Sequence, residues 1–256
     1  MEGCVRGGQI TVDYKNLYDL RYFYTQPVGS KTIRRFTCGL AYESMVMLLH
    51  ERRFEGFGSS EWYTAVESLD NPVIRGFLAE RICLNHIATT GLLIVDKRLG
   101  RMQHVFFSEW PNFESLLGRT KETHCLYIPS TFNFSAVDGV ILHLDSKLKC
   151  AHLYPIQFTI STRHKDSNSI FYASMWETWV KPIKNAGFTL KSTFVWIDKE
   201  TPSDGSRSPK ILSLLSGDRV VWPAYTYVHI GVGQVDEFLA CTLEYNVSMA
   251  GPSTTL

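Results

Sequence analysis

The chain contains no C-x-x-C pair, no glycine-rich phosphate loop and no nucleophile elbow, and its charges nearly cancel, to a net +1. Six cysteines scattered at positions 4, 38, 83, 125, 150 and 241 make neither a disulfide framework nor a spaced structural zinc site, and point to a reducing compartment. Gly231-Val232-Gly233 is too short for a dinucleotide fingerprint. A net charge this small provides no overall attraction to nucleic acid or to an anionic membrane, so contact with a polyanion has to come from a local patch. Long apolar runs are missing as well. The first residues, Met1-Glu2-Gly3-Cys4-Val5-Arg6, lack an apolar segment, and uncharged stretches such as 220–235 are broken by Pro223, Gly231 and Gly233. Neither a signal peptide nor a membrane span is expected, which suggests an intracellular protein.

What is present is enough apolar material for a full core: 256 residues, 45% apolar and 13% aromatic. Residues 40–53 have a helical apolar pattern, whereas 11–24 are tyrosine-rich and charged. Asp70-Asn71-Pro72 offers a cap and an early-turn proline, and Gly91 offers a stop, so the spacing predicts a helix over 72–90. A short strand over 92–96, a polar excursion through Arg101 and Trp110, and a strand over 125–129 follow. Apolar stretches 137–144 and 150–161 flank the polar break Asp145-Ser146-Lys147-Leu148-Lys149 and read as a hairpin. Residues 169–185 carry helical spacing closed by Gly187, and 191–198 read as a buried strand. Helix, strand, strand, strand, helix, strand implies an α/β fold with a mixed central sheet flanked by helices. The expected layout is an N-terminal helical extension (1–69), a core (70–199) and a C-terminal extension of the same domain (200–256). In that extension, 211–215 and 225–239 would cover one edge of the sheet.

With a four-residue loop, Asp145 pairs with Cys150, and Asp138 falls opposite Gln157. Period two then puts Val140, Leu142 and Leu144 on the face of Asp138, and Thr159 and Ser161 on that of Gln157. On the helix, Val73, Phe77, Glu80, Leu84 and Ile87 follow 4,3,4,3 spacing, which places Glu80 in the core-facing arc. A carboxylate there needs a cation or a base, and Arg81 is the alternative partner. His143 and His152 come opposite each other in the same register and read as a cross-strand pair rather than a zinc site. The tryptophans 176, 179 and 196 read as core.

Glu80, Asp138 and Gln157 are oxygen donors from three elements, which suits a hard divalent cation such as Mg²⁺ or Mn²⁺. On Gly76-Phe77-Leu78-Ala79-Glu80, Ala136-Val137-Asp138-Gly139-Val140-Ile141 and Pro155-Ile156-Gln157-Phe158-Thr159-Ile160-Ser161, the region 70–199 resembles the PD-(D/E)XK nuclease superfamily. Within it, the likeness is to the nuclease-like C-terminal domains of Crinkler effector proteins and retrotransposon hot spot proteins. The resemblance implies a restriction-endonuclease-like core and metal-dependent hydrolysis of DNA, or of RNA. It also implies an effector acting in the nucleus. Asp138 would bind metal, Glu80 would orient metal or water, and Gln157 would open the (D/E)XK element, with the Phe158 carbonyl as a further ligand. Gln157 is neutral where the superfamily usually has an acid, and Thr159 stands where it usually has lysine. His164 and Lys165, just past the strand, are the residues that would reach back to a phosphate or water. Residues 163–191 sum to +3, a modest phosphate-tracking patch. The rival expectation is a catalytically degenerate nuclease fold that binds nucleic acid or protein.

Overall fold

The computed structural model describes residues 23–28, 31–36, 54–68, 72–108, 111–117, 123–130, 134, 136–160, 167–199, 210–212, 215–216, 219–220 and 225–249. Two strands, β1 (Phe23–Val28) and β2 (Lys31–Phe36), pair antiparallel, so the segment expected to be helical also contains a hairpin. The helix expected over 40–53 lies outside the described residues. After the 3-10 turn Phe54–Gly58 come α1 (Ser60–Ser68) and α2 (Pro72–Thr90), the latter with the bounds the sequence predicts.

Gly91 ends α2 with φ +88°, and its N–H donates to the Ile87 carbonyl at 2.9 Å. A side-chain carbon at Gly91 would stand 2.0 Å from the Leu99 carbonyl oxygen, so only glycine lets the chain pass there. The expected strand over 92–96 stops early: β3 (Leu92–Ile94) turns at Val95 and pairs with β4 (Lys97–Leu99). The expected polar excursion contains β5 (Gln103–Phe107), which pairs parallel with β6 (Thr123–Pro129) across the short helix α3 (Glu114–Leu117). A short edge strand with a single buried residue carries little apolar signal, which is why its sequence reads as a loop.

The central hairpin follows as β7 (Gly139–Asp145) and β8 (Cys150–Thr159), with Asp145 paired to Cys150 as expected. Asp145 Oδ1 accepts the N–H groups of Lys147 and Leu148, both at 3.0 Å, and Lys149 closes the loop at φ +49°. Next, α4 (Ser167–Ile170), a π-helical segment (Phe171–Met175) and α5 (Trp176–Asn185) follow one another without a break, the π segment accounting for the mixed helical spacing of the sequence. Then come β9 (Thr189–Asp198), β10 (Lys210–Leu212), the small hairpin β11 (Leu215–Ser216) and β12 (Arg219–Val220), β13 (Tyr225–Gly231), α6 (Val232–Val235) and α7 (Glu237–Met249).

Seven strands form one mixed sheet in the order β10-β13-β9-β8-β7-β6-β5. β8, β9 and β13 run parallel, while β7 is antiparallel to both of its neighbours. The residues expected to cover one edge therefore extend the sheet itself. Helices shield both faces, so most β6 and β7 positions are buried instead of alternating. On one face, Phe77, Leu84 and Ile87 of α2 and Leu239 of α7 pack over Ile141, Ile156 and Val195. On the other, the rings of Phe107, Phe113, Tyr127 and Phe171 surround Trp179, and Trp176 and Trp196 are core as well. Asp236 ties three helices: its Oδ2 accepts the Tyr63 hydroxyl at 2.6 Å and lies 3.3 Å from His86 Nδ1, and its Oδ1 accepts the Leu239 N–H at 3.0 Å. Burial alone would raise the pKa of this carboxyl, but the bonds from His86, Tyr63 and Leu239 hold it below the usual range.

Candidate functional site

Asp138 and Gln157 meet where β7 begins and β8 nears its end. The paired ladder stops at Gly139–Ile156. One residue further out, the Asp138 N–H donates to the Ile156 carbonyl at 2.8 Å. Asp138 Oδ2 then accepts the Phe158 N–H at 2.7 Å and Gln157 Nε2 at 2.5 Å. Strand N–H groups point within the sheet, so this carboxylate sits at the sheet's rim instead of standing on one face. Ala136, two residues earlier, has φ +80°, a conformation that costs a residue other than glycine roughly 1–2 kcal/mol. The backbone is held in that conformation next to Asp138.

Glu80 comes to this rim from α2. A side-chain carbon at Gly76 would lie 3.8 Å from Ile160 Cδ1, and one at Gly139 would lie 3.2 Å from Leu84 Cδ2. Gly76, Glu80 and Leu84 are one helical turn apart on a single ridge. Glu80 therefore lies over the interval between Gly139 and Ile160, which holds Asp138 and Phe158. The Cys83 thiol between Glu80 and Leu84 agrees with this placement. Burial pushes its pKa well up, and the negative charges of Asp236, Glu80 and Asp138 push it further.

The alternative partner of Glu80 is also in place, since its Oε1 lies 3.0 Å from Arg81 Nη2. Arg81 is 3% exposed, sits over the Phe77 ring at 4.9 Å, and its Nε and Nη1 have no hydrogen-bond partner. Even so, burial raises the pKa of Glu80 more than the Arg81 charge lowers it.

Thr159 lies beside Asp198 in the parallel β8–β9 pairing. The Phe158 carbonyl lies 3.4 Å from the Gln157 amide nitrogen. His164 and Lys165 fall outside the described residues. Among the described residues, no three His, Cys, Asp or Glu side chains group closely enough to hold an ion. α2, which carries Glu80, packs on the face of Ile156 and Phe158, whereas Gln157 alternates to the face of Trp196. The rim itself offers one acid, Asp138, with the Gln157 amide and the Phe158 carbonyl beside it, all hard oxygen donors once the Gln157 amide turns its oxygen inward. A half-turn of that terminal torsion exchanges the amide's N and O with little change of shape.

Two polar residues missed in the sequence lie near this site. His229 Nδ1 is 2.5 Å from Asp198 Oδ2, with side-chain exposures of 17% and 8%. Their only local signal is polarity within apolar strands. At the opposite end of the sheet, His143 pairs with His152 as expected, and His124 stacks on His143 at 4.7 Å. Lys97 Nζ lies 2.9 Å from His143 Nδ1, a cation where a metal site would need a free lone pair. No helix among the described residues is long and apolar enough to cross a membrane. Comparison of the chain with protein-family models, with curated proteins and with solved structures finds no significant match.

Proposed function

We propose that the protein is a divalent-metal-dependent nuclease of the PD-(D/E)XK kind, hydrolysing phosphodiester bonds of DNA, or of RNA, by attack of water. The observation that carries this reading is the Asp138–Gln157 contact at the rim of the central hairpin, under the helical ridge bearing Glu80. The helix Pro72–Thr90, the central hairpin, the following helix and β9 come in the order the resemblance implies, with additional short elements between the first helix and the hairpin. Asp138, Glu80, the Gln157 side-chain oxygen and the Phe158 carbonyl would hold Mg²⁺ or Mn²⁺. Bound there, the ion would stabilise charge on the phosphate and acidify water. The chemistry of the donors is the sign of fit, since all four are oxygens of the kind a hard divalent cation takes. An effector role inside the cell, with the nucleus as its place of action, belongs to the same reading. Supercoiled plasmid and a structured RNA, incubated with the protein in Mg²⁺ or Mn²⁺, test it. Cleavage is expected, abolished by EDTA and by Asp138→Ala with the fold intact. Cleavage that survives either treatment removes the assignment.

A second reading is a nuclease fold that no longer cleaves and instead binds nucleic acid or protein. It is favoured by the amide hydrogens of Gln157 facing Asp138 and by Arg81 standing beside Glu80. If Mn²⁺ leaves the melting temperature unchanged while nucleic acid raises it, this reading replaces the first.

A further inference from the structure

We infer that the end of the sheet opposite the rim carries an anion site, a pocket beneath the β3–β4 turn that takes a phosphoryl group between Lys97 and Lys191. It stands apart from the nuclease reading, on other residues and at the other end of the sheet. The pocket has a volume of about 370 Å³ and is lined by residues 94–97 of the turn and by His152, Tyr154 and Thr193 of β8 and β9. That is the size of the smaller ligand sites, and it admits a phosphate bearing a compact organic body.

The pocket exists because α2 stops short. Gly91 ends the helix, and beyond it the same face of the sheet is covered by β3–β4, whose Ile94 and Leu99 join the core that α2 builds. Under the helix that face is apolar, with Ile141, Ile156 and Val195. Past its end the same strands present His143, His152 and Thr193. Polar residues at the end of a sheet are ordinarily solvated, but His143 and Thr193 are only 5% and 6% exposed. Buried polar groups have to be matched, and these are matched to one another. His152 Nε2 lies 2.9 Å from Thr193 Oγ1, which lies 2.7 Å from Thr226 Oγ1, and the His152 ring stacks on Tyr154 at 4.1 Å and 8°. The floor of the pocket is thus fixed before a ligand arrives, which lowers the ordering cost of binding.

Charge decides what the pocket takes. Lys97 Nζ lies 2.9 Å from His143 Nδ1, and an ammonium can only donate, so the ring accepts and this contact leaves the charge of Lys97 uncancelled. Lys191 is beside His152 in the parallel pairing and two residues before Thr193, so it rises from the same face. His143 is opposite His152 on the other side. The two lysines therefore flank the His152 ring, one over β7 and one from β9. The ring feels both: after burial, the charges of Lys97, His143 and Lys191 lower its pKa to about 3, and it stays neutral. Asp96 is the acid of the lining, and two ammonium groups against one carboxylate leave the pocket positive. Lysines act as point charges with several donors each, which suits the oxygens of a phosphoryl group. Ile94 and Val95 offer an organic body an apolar wall. Free phosphate and a small phosphate monoester share this chemistry.

Calorimetric titration of the full chain with inorganic phosphate and with adenosine monophosphate tests the inference. EDTA is present throughout, so that no metal at the opposite rim can hold the phosphate. Binding to a single site is expected. Tighter binding of the monoester marks an organic phosphate as the ligand, and equal or weaker binding marks free phosphate. Lys97→Gln and Lys191→Gln should each weaken binding about tenfold or more, the loss of a hydrogen bond from a charged donor. Lys184→Gln, at an exposed position of α5 on the other side of the sheet, should leave binding unchanged. The imidazole ¹⁵N resonances of His152 should shift as the site fills. Wild type that binds neither probe overturns the inference. So does binding that both pocket variants leave intact, or that Lys184→Gln weakens as much as they do. If Lys97→Gln, which loses its bond to His143, does not fold, Lys191→Gln at its exposed position decides alone.

Discussion

Single ionisable residues set how this fold responds to its surroundings, and His152 is the clearest case. Burial, followed by the positive charge of Lys97, the neighbouring His143 and Lys191, lowers its pKa from 6.5 to about 3. The unfolded chain then binds a proton that the folded chain refuses across that interval. Stability contributed here is complete above about pH 6.5, falls as the pH drops below it, and stops falling near pH 3. His152→Gln, which can still bond Thr193, is expected to flatten the acid side of a stability-versus-pH curve measured by urea titration. An unchanged acid slope would show that other groups govern it. Glu80 shows what sequence can and cannot give at this scale. Its place in the core-facing arc and its Arg81 alternative are both legible from helical spacing, because they depend on neighbours along one element. The Asp198–His229 contact spans 31 positions and forms only because a crossover connection lays β13 beside β9. Nothing local announces it.

At the scale of elements, the informative case is β8, a central strand with Pro155 in it. Proline has no N–H to give, and the pairing of β8 with β9 runs from Cys150 to Leu153, lapses at Tyr154 and Pro155, and resumes at Ile156. The gap is bridged from the side. Ser192 Oγ donates to the Leu153 carbonyl at 3.2 Å and pairs with the Tyr172 hydroxyl at 2.7 Å, a residue presented by the π-helical segment. Ser192→Ala would remove both of these buried hydrogen bonds, and should cost about 1–3 kcal/mol in denaturant unfolding. No measurable loss would mean that Ser192 does not support the broken ladder. The helix over 72–90 and the central hairpin were legible because a proline cap, a terminal glycine and a polar break mark their ends. β5 was not, because an edge strand of five residues with one buried position lacks the apolar alternation that marks strands.

For the whole molecule, the single sheet from β10 to β5 decides which residues can act together. It brings the start of β7 and the ends of β8, β9 and β13 to one rim, and α2 packs over one face of the sheet beside it. Two groups of polar side chains result, one around Asp138 and one around Asp198, with a hydrophobic layer on each side of the sheet. The central claim is that Asp138, Glu80 and Gln157 share a dication, and titration of the apo protein with Mn²⁺, followed by electron paramagnetic resonance of the free ion, tests it most directly. We expect one Mn²⁺ bound by wild type, none by Asp138→Ala and weaker binding by Glu80→Gln. Wild type that takes up no Mn²⁺, or an Asp138→Ala protein that binds it as tightly, would contradict the claim.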